Sequence, residues 1–164
     1  LPRSKRVCAA KVEDPAASQR AVNGEGPDVM PLPEPTPDTQ RYWDGAAAGE
    51  LWIQRCLSTG RFFFYPRHSS PFVIGGAVEW IRASGRAHLY SYNIVHRPAP
   101  AFADRGPYAL AVVELEEGPR MMTNIVGVAN TPENLQLDMP LEVAFEARGE
   151  LALPVFRPAE KDRR

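Results

Sequence analysis

Cysteine is scarce in this chain of 164 residues, with Cys8 and Cys56 the only two. A disulfide framework is therefore not expected. Long apolar runs are missing as well. None reaches the roughly 20 residues that cross a bilayer, and residues 1–30 carry no apolar core of a secretory signal, so a soluble, cytoplasmic protein is expected. Nor is there an excess of positive charge. Nineteen Lys and Arg stand against 20 Asp and Glu, for a formal charge of −1, which removes any global pull toward nucleic acid or anionic lipid. The chain has no Gly-x-Gly-x-x-Gly and no Gly-x-x-x-x-Gly-Lys-Ser/Thr, so nucleotide cofactors of those classes have no support. Ser91 lies near His88 and His96 in sequence, and Asp104 follows. Without a Gly-x-Ser-x-Gly elbow, however, nothing exposes a nucleophile, and no catalytic residue is assigned.

Proline is what the chain has in quantity: 17, of which seven fall in residues 1–37. That segment, mixed with Glu, Asp, Gly and Ser, has too little apolar surface to offset its ordering entropy and reads as a flexible arm. Pro31 to Pro37 favours extended polyproline geometry, either as a spacer or as a docking motif. Asp38 or Thr39 can cap a short helix within residues 38–49, stopped by Gly49. Residues 50–76 contain two strand-like runs, Leu51–Cys56 and Arg61–Tyr65. From 77 to 158 the pattern is β-rich, with candidate strands Ala77–Arg82, Ala87–Arg97, Tyr108–Leu115, Arg120–Val126, Leu141–Ala147 and Leu151–Arg157. Five or six such strands suit a small barrel of the oligonucleotide- and oligosaccharide-binding (OB) type. Thr131–Asn134 can start one helical turn, and a charged tail fills 159–164. The fold class is mainly β.

The 50–76 segment has an unusual frame. Cys56-Leu-Ser-Thr59-Gly60 followed by Ser70-Pro-Phe-Val73 has the shape of Cys-x-x-Cys-Gly and Cys-Pro-x-Cys, with three thiolates replaced. Structural zinc needs four Cys or His donors, and threonine, serine and valine supply no soft anionic ligand. No metal is expected at Cys56, Thr59, Ser70 and Val73, and a contribution on the order of 10 kcal/mol to folding is forfeited. Four consecutive aromatics, Phe62, Phe63, Phe64 and Tyr65, make both faces of one strand apolar. They either pack on the barrel and fill the volume of the metal site or form a subunit interface. His88 and His96, eight apart on one predicted strand, lie on the same face but roughly 26 Å apart, too far to share a metal. His68 with Cys56 supplies only two ligands. His96 and Arg97 end a strand, where they suit contact with an acyl-CoA phosphate or a partner carboxylate; a solvated strand end is the plain alternative.

Trp43-Asp-Gly45, Gly49-Glu-Leu51, Gln54-Arg-Cys56, Thr59-Gly60, Tyr65-Pro-Arg67, Ser70-Pro71, Glu79-Trp80, Ser84-Gly85-Arg86, Tyr90-Ser-Tyr92 and Val95-His-Arg-Pro98 run in a set order and spacing. Over residues 40 to about 157 the chain thereby resembles the acyl-CoA-associated OB-fold proteins with a rubredoxin-like zinc ribbon, long catalogued as a domain of unknown function. The resemblance implies an accessory subunit that docks on a thiolase-superfamily enzyme: a thiolase, an acyltransferase or an aldolase of steroid side chains. Its relatives are also linked to enoyl-CoA hydratases. It further implies that the acyl-CoA is the complex's substrate, in a heterotetramer with two copies of each chain. The departure is the ribbon, since members usually keep four cysteines.

Trp43, Trp52, Phe62, Phe63, Phe64, Tyr65 and Phe72 are the candidate partner interface. Single-stranded nucleic-acid binding is the rival reading for an OB barrel, with Tyr90, Tyr92 and Tyr108 available to stack. Charge opposes it: from residue 78 onward ten Lys and Arg face 12 Asp and Glu, where a nucleic-acid groove needs a positive excess.

Overall fold

Thr39 turns its hydroxyl back, accepting from the Thr36 amide at 2.9 Å, and leaves the helix that follows without a side-chain cap. That helix, α1 (Gln40–Ala47), buries Tyr42, Trp43, Gly45 and Ala46 along one face. Gly49, at φ 77°, ends it in the left-handed conformation that glycine adopts without steric cost. The computed structural model describes residues 32–100, 102 and 106–159. The predicted arm up to residue 31, Cys8, Asp104 and the tail from 160 lie outside these residues.

Two sheets follow. The first has β1 (Trp52–Cys56) at its centre, flanked by β2 (Phe62–Phe63) and β3 (Val78–Arg82), both antiparallel to it. β3 pairs with β1 along its whole length, from Trp52 opposite Arg82 to Cys56 opposite Val78. The first of the six candidate barrel strands, Ala77–Arg82, therefore completes the ribbon sheet, and the barrel has five. β2 is also shorter than the aromatic run predicts. Only Phe62 and Phe63 pair with β1; Phe64 and Tyr65 leave the sheet and pack on Tyr42 of α1, with ring centroids 5.6 and 5.7 Å away.

The second sheet, in the order β6-β5-β4-β7-β8, comprises β4 (Arg86–Val95), β5 (Tyr108–Leu115), β6 (Arg120–Asn124), β7 (Pro140–Arg148) and β8 (Leu151–Pro158). A parallel bridge from Ile125 to Phe156 brings its two ends together, with the Val126 amide donating to the Phe156 carbonyl at 2.8 Å. Five strands, nearly closed in this order, make an OB barrel. On β5, Ala109, Ala111, Val113 and Leu115 point inward and Leu110 and Glu114 outward, the alternation of a half-buried strand. Phe156, Leu89, Ile125, Leu141 and Leu135 are almost wholly buried with them. Each such side chain contributes about 1.5–3 kcal/mol by leaving water. Thr131–Asn134 forms a single turn, its Thr131 carbonyl accepting from the Asn134 and Leu135 amides, and sets Leu135 into the core. No helix among the described residues is long and apolar enough to cross a membrane.

β4 carries a bulge. Leu89 pairs with Val113 and Ser91 with Val112, so Tyr90 is an extra residue. An extra residue inverts which side chains face inward: Ala87 and Leu89 are buried before it, whereas Tyr92 and Ile94 are the more covered ones after it. His88 and His96 therefore do not share a face as the even spacing predicts, and β4 ends at Val95, one residue before His96.

Candidate functional site

Both knuckles of the ribbon are tight, hydrogen-bonded turns. In the first, Gly60 donates to the Cys56 carbonyl at 2.8 Å and Cys56 to the Arg61 carbonyl at 2.9 Å. In the second, Ser70 donates to the Gly76 carbonyl and Gly76 to the Val73 carbonyl, each at 2.9 Å. Gly60 (φ 69°) and Gly75 (φ 66°) take the left-handed positions these tight turns require. A side chain on Gly76 would lie 3.1 Å from the Cβ atoms of both Ser70 and Val73, so those two positions border one small space.

Cys56 is fully buried in that region. Its thiol is held down to about 7, first by a hydrogen bond from the Ser70 hydroxyl, then by one from Thr59, against the upward push of desolvation; the Thr59 and Ser58 amides add to the effect. Cys56, Thr59 and Ser70, three of the four positions of the frame, thus offer one sulfur and two hydroxyls. Val73 contributes no donor atom. A zinc ion would need three more soft or imidazole ligands than this set offers, and no cluster of three His, Cys, Asp or Glu exists among the described residues. His68, the other candidate ligand, faces Asp38 across 3.5 Å on the surface. The residues present do not fit the metal.

The aromatic candidates divide by burial. Trp43, 6 % exposed, and Phe63, 5 % exposed, lie inside the molecule and so offer almost no surface to a partner. Trp43 is locked edge-on to Tyr42 at 4.8 Å, and Phe63 edge-on to Phe72 at 5.9 Å. Phe62 and Phe64 are half-buried and pack against the main core. Trp52 lies under the Arg41 guanidinium at 4.3 Å and donates to Glu50 at 3.0 Å, while Arg61 covers Phe72 at 3.9 Å. Tyr65 keeps 42 % of its surface in water. Buried Gln54 accepts from the Arg67 amide at 2.7 Å and so anchors the chain leaving β2 to β1.

The open apolar surface lies at the knuckle tips. Ile74 is fully exposed, Leu57 is 57 % exposed and Val73 38 %. Val73 and Ile74 are legible in the sequence as apolar residues beyond what a small ribbon buries; Leu57 reads only as the first residue of the turn between the two strand-like runs. A second apolar group, Tyr90, Leu110 and Met122, lies on the outer face of the barrel. Arg120 caps the Tyr90 ring at 3.5 Å and is itself bound to Glu114 at 2.7 Å. Four more arginines are paired in the same way: Arg55 with Glu79, Arg82 with Glu50, Arg86 with Glu116 and Arg157 with Glu142. Arg86 and then Ser84 hydrogen-bond to Glu116 and hold its carboxyl below the ordinary range.

His96 and Arg97 are exposed beyond the end of β4. An open groove of 380 Å³ beside Met139 and Pro158 has Asp138 as its single ionisable lining residue, which cannot by itself form an acid–base pair.

Residues 43–70 match the family described as ChsH2, rubredoxin-like zinc ribbon domain, and residues 80–146 match ChsH2, C-terminal OB-fold domain. The chain is 34 % identical over 92 residues to a DUF35 domain-containing scaffold protein of Methanothermobacter thermautotrophicus, covering 56 % of this chain and 68 % of that one. It is 32 % identical over 148 residues to the 3-oxo-4,17-pregnadiene-20-carboxyl-CoA hydratase alpha subunit of Mycobacterium tuberculosis, covering 89 % of this chain. It spans 46 % of that subunit's length. Among solved structures, a chain of the Ltp2-ChsH2(DUF35) aldolase superposes with a TM-score of 0.66 at 36 % identity, over 77 % of this chain and 98 % of the other.

Proposed function

The chain belongs to the DUF35 family of ChsH2-type proteins, which join a rubredoxin-like ribbon to an OB fold, and from this premise we propose that it is a non-catalytic subunit docking on a thiolase-like enzyme of acyl-CoA metabolism. The observation that carries this reading is the exposure of three apolar side chains on the two knuckles of the ribbon, Leu57 on the first and Val73 and Ile74 on the second. Apolar groups of this kind, rimmed by polar residues, are what protein–protein contacts bury. The likeness to a chain of the Ltp2-ChsH2(DUF35) aldolase supports a partner enzyme for this chain. His96 and Arg97 would face acyl-CoA or a partner carboxylate, and the assembly would hold two copies of each chain. Steroid side chains are one substrate class that fits the family.

An enoyl-CoA hydratase is the second partner reading, favoured by the hydratase alpha subunit in which this family's sequence recurs. Nucleic-acid binding loses ground. Five surface arginines are each engaged by a glutamate, and the exposed Tyr90 ring already carries one of them.

Affinity purification of the tagged full chain from its native cells, followed by native mass spectrometry, tests the proposal. The expected result is a thiolase-superfamily chain in equal number, lost in Leu57→Asp/Ile74→Asp while the melting temperature holds. A hydratase in its place would overturn the thiolase reading. Thioester turnover by the isolated chain, or retention of single-stranded nucleic acid with a steep salt dependence, would overturn docking as the function.

A further inference from the structure

We propose that this ribbon has exchanged its metal cross-link for a hydrogen-bonded and aromatic one: the knuckles hold together without zinc yet keep the spacing of a four-ligand site. The inference is independent of which enzyme the chain docks on.

A zinc ribbon works because one ion ties two loops that have few other contacts. Here the ties are of another kind. Between the knuckles, Ser70 of the second loop and Cys56 of the first are both buried, and the Ser70 and Thr59 hydroxyls are the groups that hold the Cys56 thiol down. Ser70 is itself buried, and its oxygen also accepts from the Phe72 amide at 3.1 Å, which fixes the hydroxyl in place. Around this polar centre the Phe72 ring from the second loop stands edge-on to Phe63 of β2 and under Arg61, at 5.9 and 3.9 Å. These contacts join the same two loops that the ion would join, and they do so on the side of the ribbon that Phe63 closes. The base of each knuckle is held to the sheet by backbone bonds: Leu57 donates to the Ala77 carbonyl at 3.1 Å, and β3 pairs with β1 immediately beyond.

The substitutions are coherent as a set. Replacing one thiolate would leave three unsatisfied ligands around an ion of weakened affinity. Replacing three, with two hydroxyls and one isopropyl group, leaves a thiol with polar neighbours and an apolar side chain at Val73, an exposed position. The backbone has not followed the change. Both knuckles keep their turns, their glycines and the convergence of Ser70 and Val73 on one space. A chain that retains the cradle should accept the ion once the ligands return.

The test uses the full chain and a triple variant, Thr59→Cys/Ser70→Cys/Val73→Cys, both purified with zinc in the growth medium. Metal analysis of the natural chain should find zinc far below one equivalent, and its melting temperature should not move on adding a chelator. The triple variant should bind one equivalent of cobalt(II) with the absorption of a tetrahedral thiolate site, and its melting temperature should rise with zinc and fall with chelator. Thr59→Ala/Ser70→Ala should lower the melting temperature of the natural chain with no change in metal content. Stoichiometric zinc in the natural chain would overturn the metal-free fold. A triple variant that has native circular dichroism but takes no cobalt would overturn the retained cradle. An unchanged melting temperature in the double alanine variant would remove the hydroxyls from the cross-link.

Discussion

Replacing Gly45 by alanine should destabilise this protein, although the same change in most helices does the opposite. Gly45 lies inside α1, where alanine is ordinarily favoured by about 0.8–1.0 kcal/mol. A Cβ at this position, however, meets the Trp52 ring, contacting Cδ1 and lying 3.0 Å from Nε1, and lies 3.1 Å from the Glu50 carbonyl oxygen. The ring cannot swing away freely. Its Nε1 donates to Glu50 and its face carries Arg41. Releasing it would cost about 1 kcal/mol for the hydrogen bond and about 0.5–1 for the cation–π contact, and leaving it in place would cost about 1–3 for overpacking.

The cheaper route, releasing the ring, still exceeds the helix gain, for a net loss of about 0.5–1 kcal/mol and a fall in melting temperature of roughly 1–4 °C at this chain length. A double-mutant cycle separates the terms. With Trp52→Ala in the background, Gly45→Ala should become stabilising by up to about 1 kcal/mol, giving a coupling of about 1.5–2 kcal/mol between these contacting residues. Urea unfolding of the four proteins measures it. A higher melting temperature for Gly45→Ala alone, or a cycle that closes to within about 0.5 kcal/mol, would refute the steric argument.

Two further outcomes follow from the core and the barrel's closing edge. Burial, and then the neighbouring Tyr65, raise the Tyr42 hydroxyl above the ordinary tyrosine range. The folded chain therefore keeps a proton that the unfolded chain releases near pH 10, so stability is constant below about pH 10 and declines as pH rises above it. Tyr42→Phe should flatten that decline in melting curves taken between about pH 9 and 11, and an identical slope in the variant would contradict the burial argument. Thr123→Val removes the hydroxyl that donates to the Pro154 carbonyl at 3.1 Å. It should cost about 1–3 kcal/mol and speed amide exchange at Val126 ahead of that on β5, whereas uniform exchange across the barrel would count against a seam at β6 and β8.

Local pattern made most of the elements readable. Tyr108–Leu115 alternates cleanly between turn residues, and its strand has those limits. The short helix, its glycine stop and the OB class follow from equally local signals. What escaped is non-local. Val78–Arg82 reads as the first barrel strand because nothing in its own residues records that β1 is its partner. The bulge at Tyr90 carries no glycine to announce it, so the even spacing of His88 and His96 gives the wrong face. Four successive aromatics look alike whether they extend a strand or, as Phe64 and Tyr65 do, bend back onto a helix. For the ribbon, the spacing of Cys56, Thr59, Ser70 and Val73 was visible. That two hydroxyls converge on the remaining sulfur depends on how the loops meet and required coordinates.

The pairing of five arginines with five glutamates on the molecule's own surface has a kinetic consequence. Charges that cancel over a few ångströms project almost no field past the Debye length. As far as these ten charges go, approach by another macromolecule is unsteered, at the roughly 10⁵–10⁶ M⁻¹s⁻¹ of neutral encounters, and nearly indifferent to ionic strength. Tight association under those conditions has to come from slow departure, so an assembly containing this chain would exchange its members seldom and would owe its composition to which proteins were made side by side.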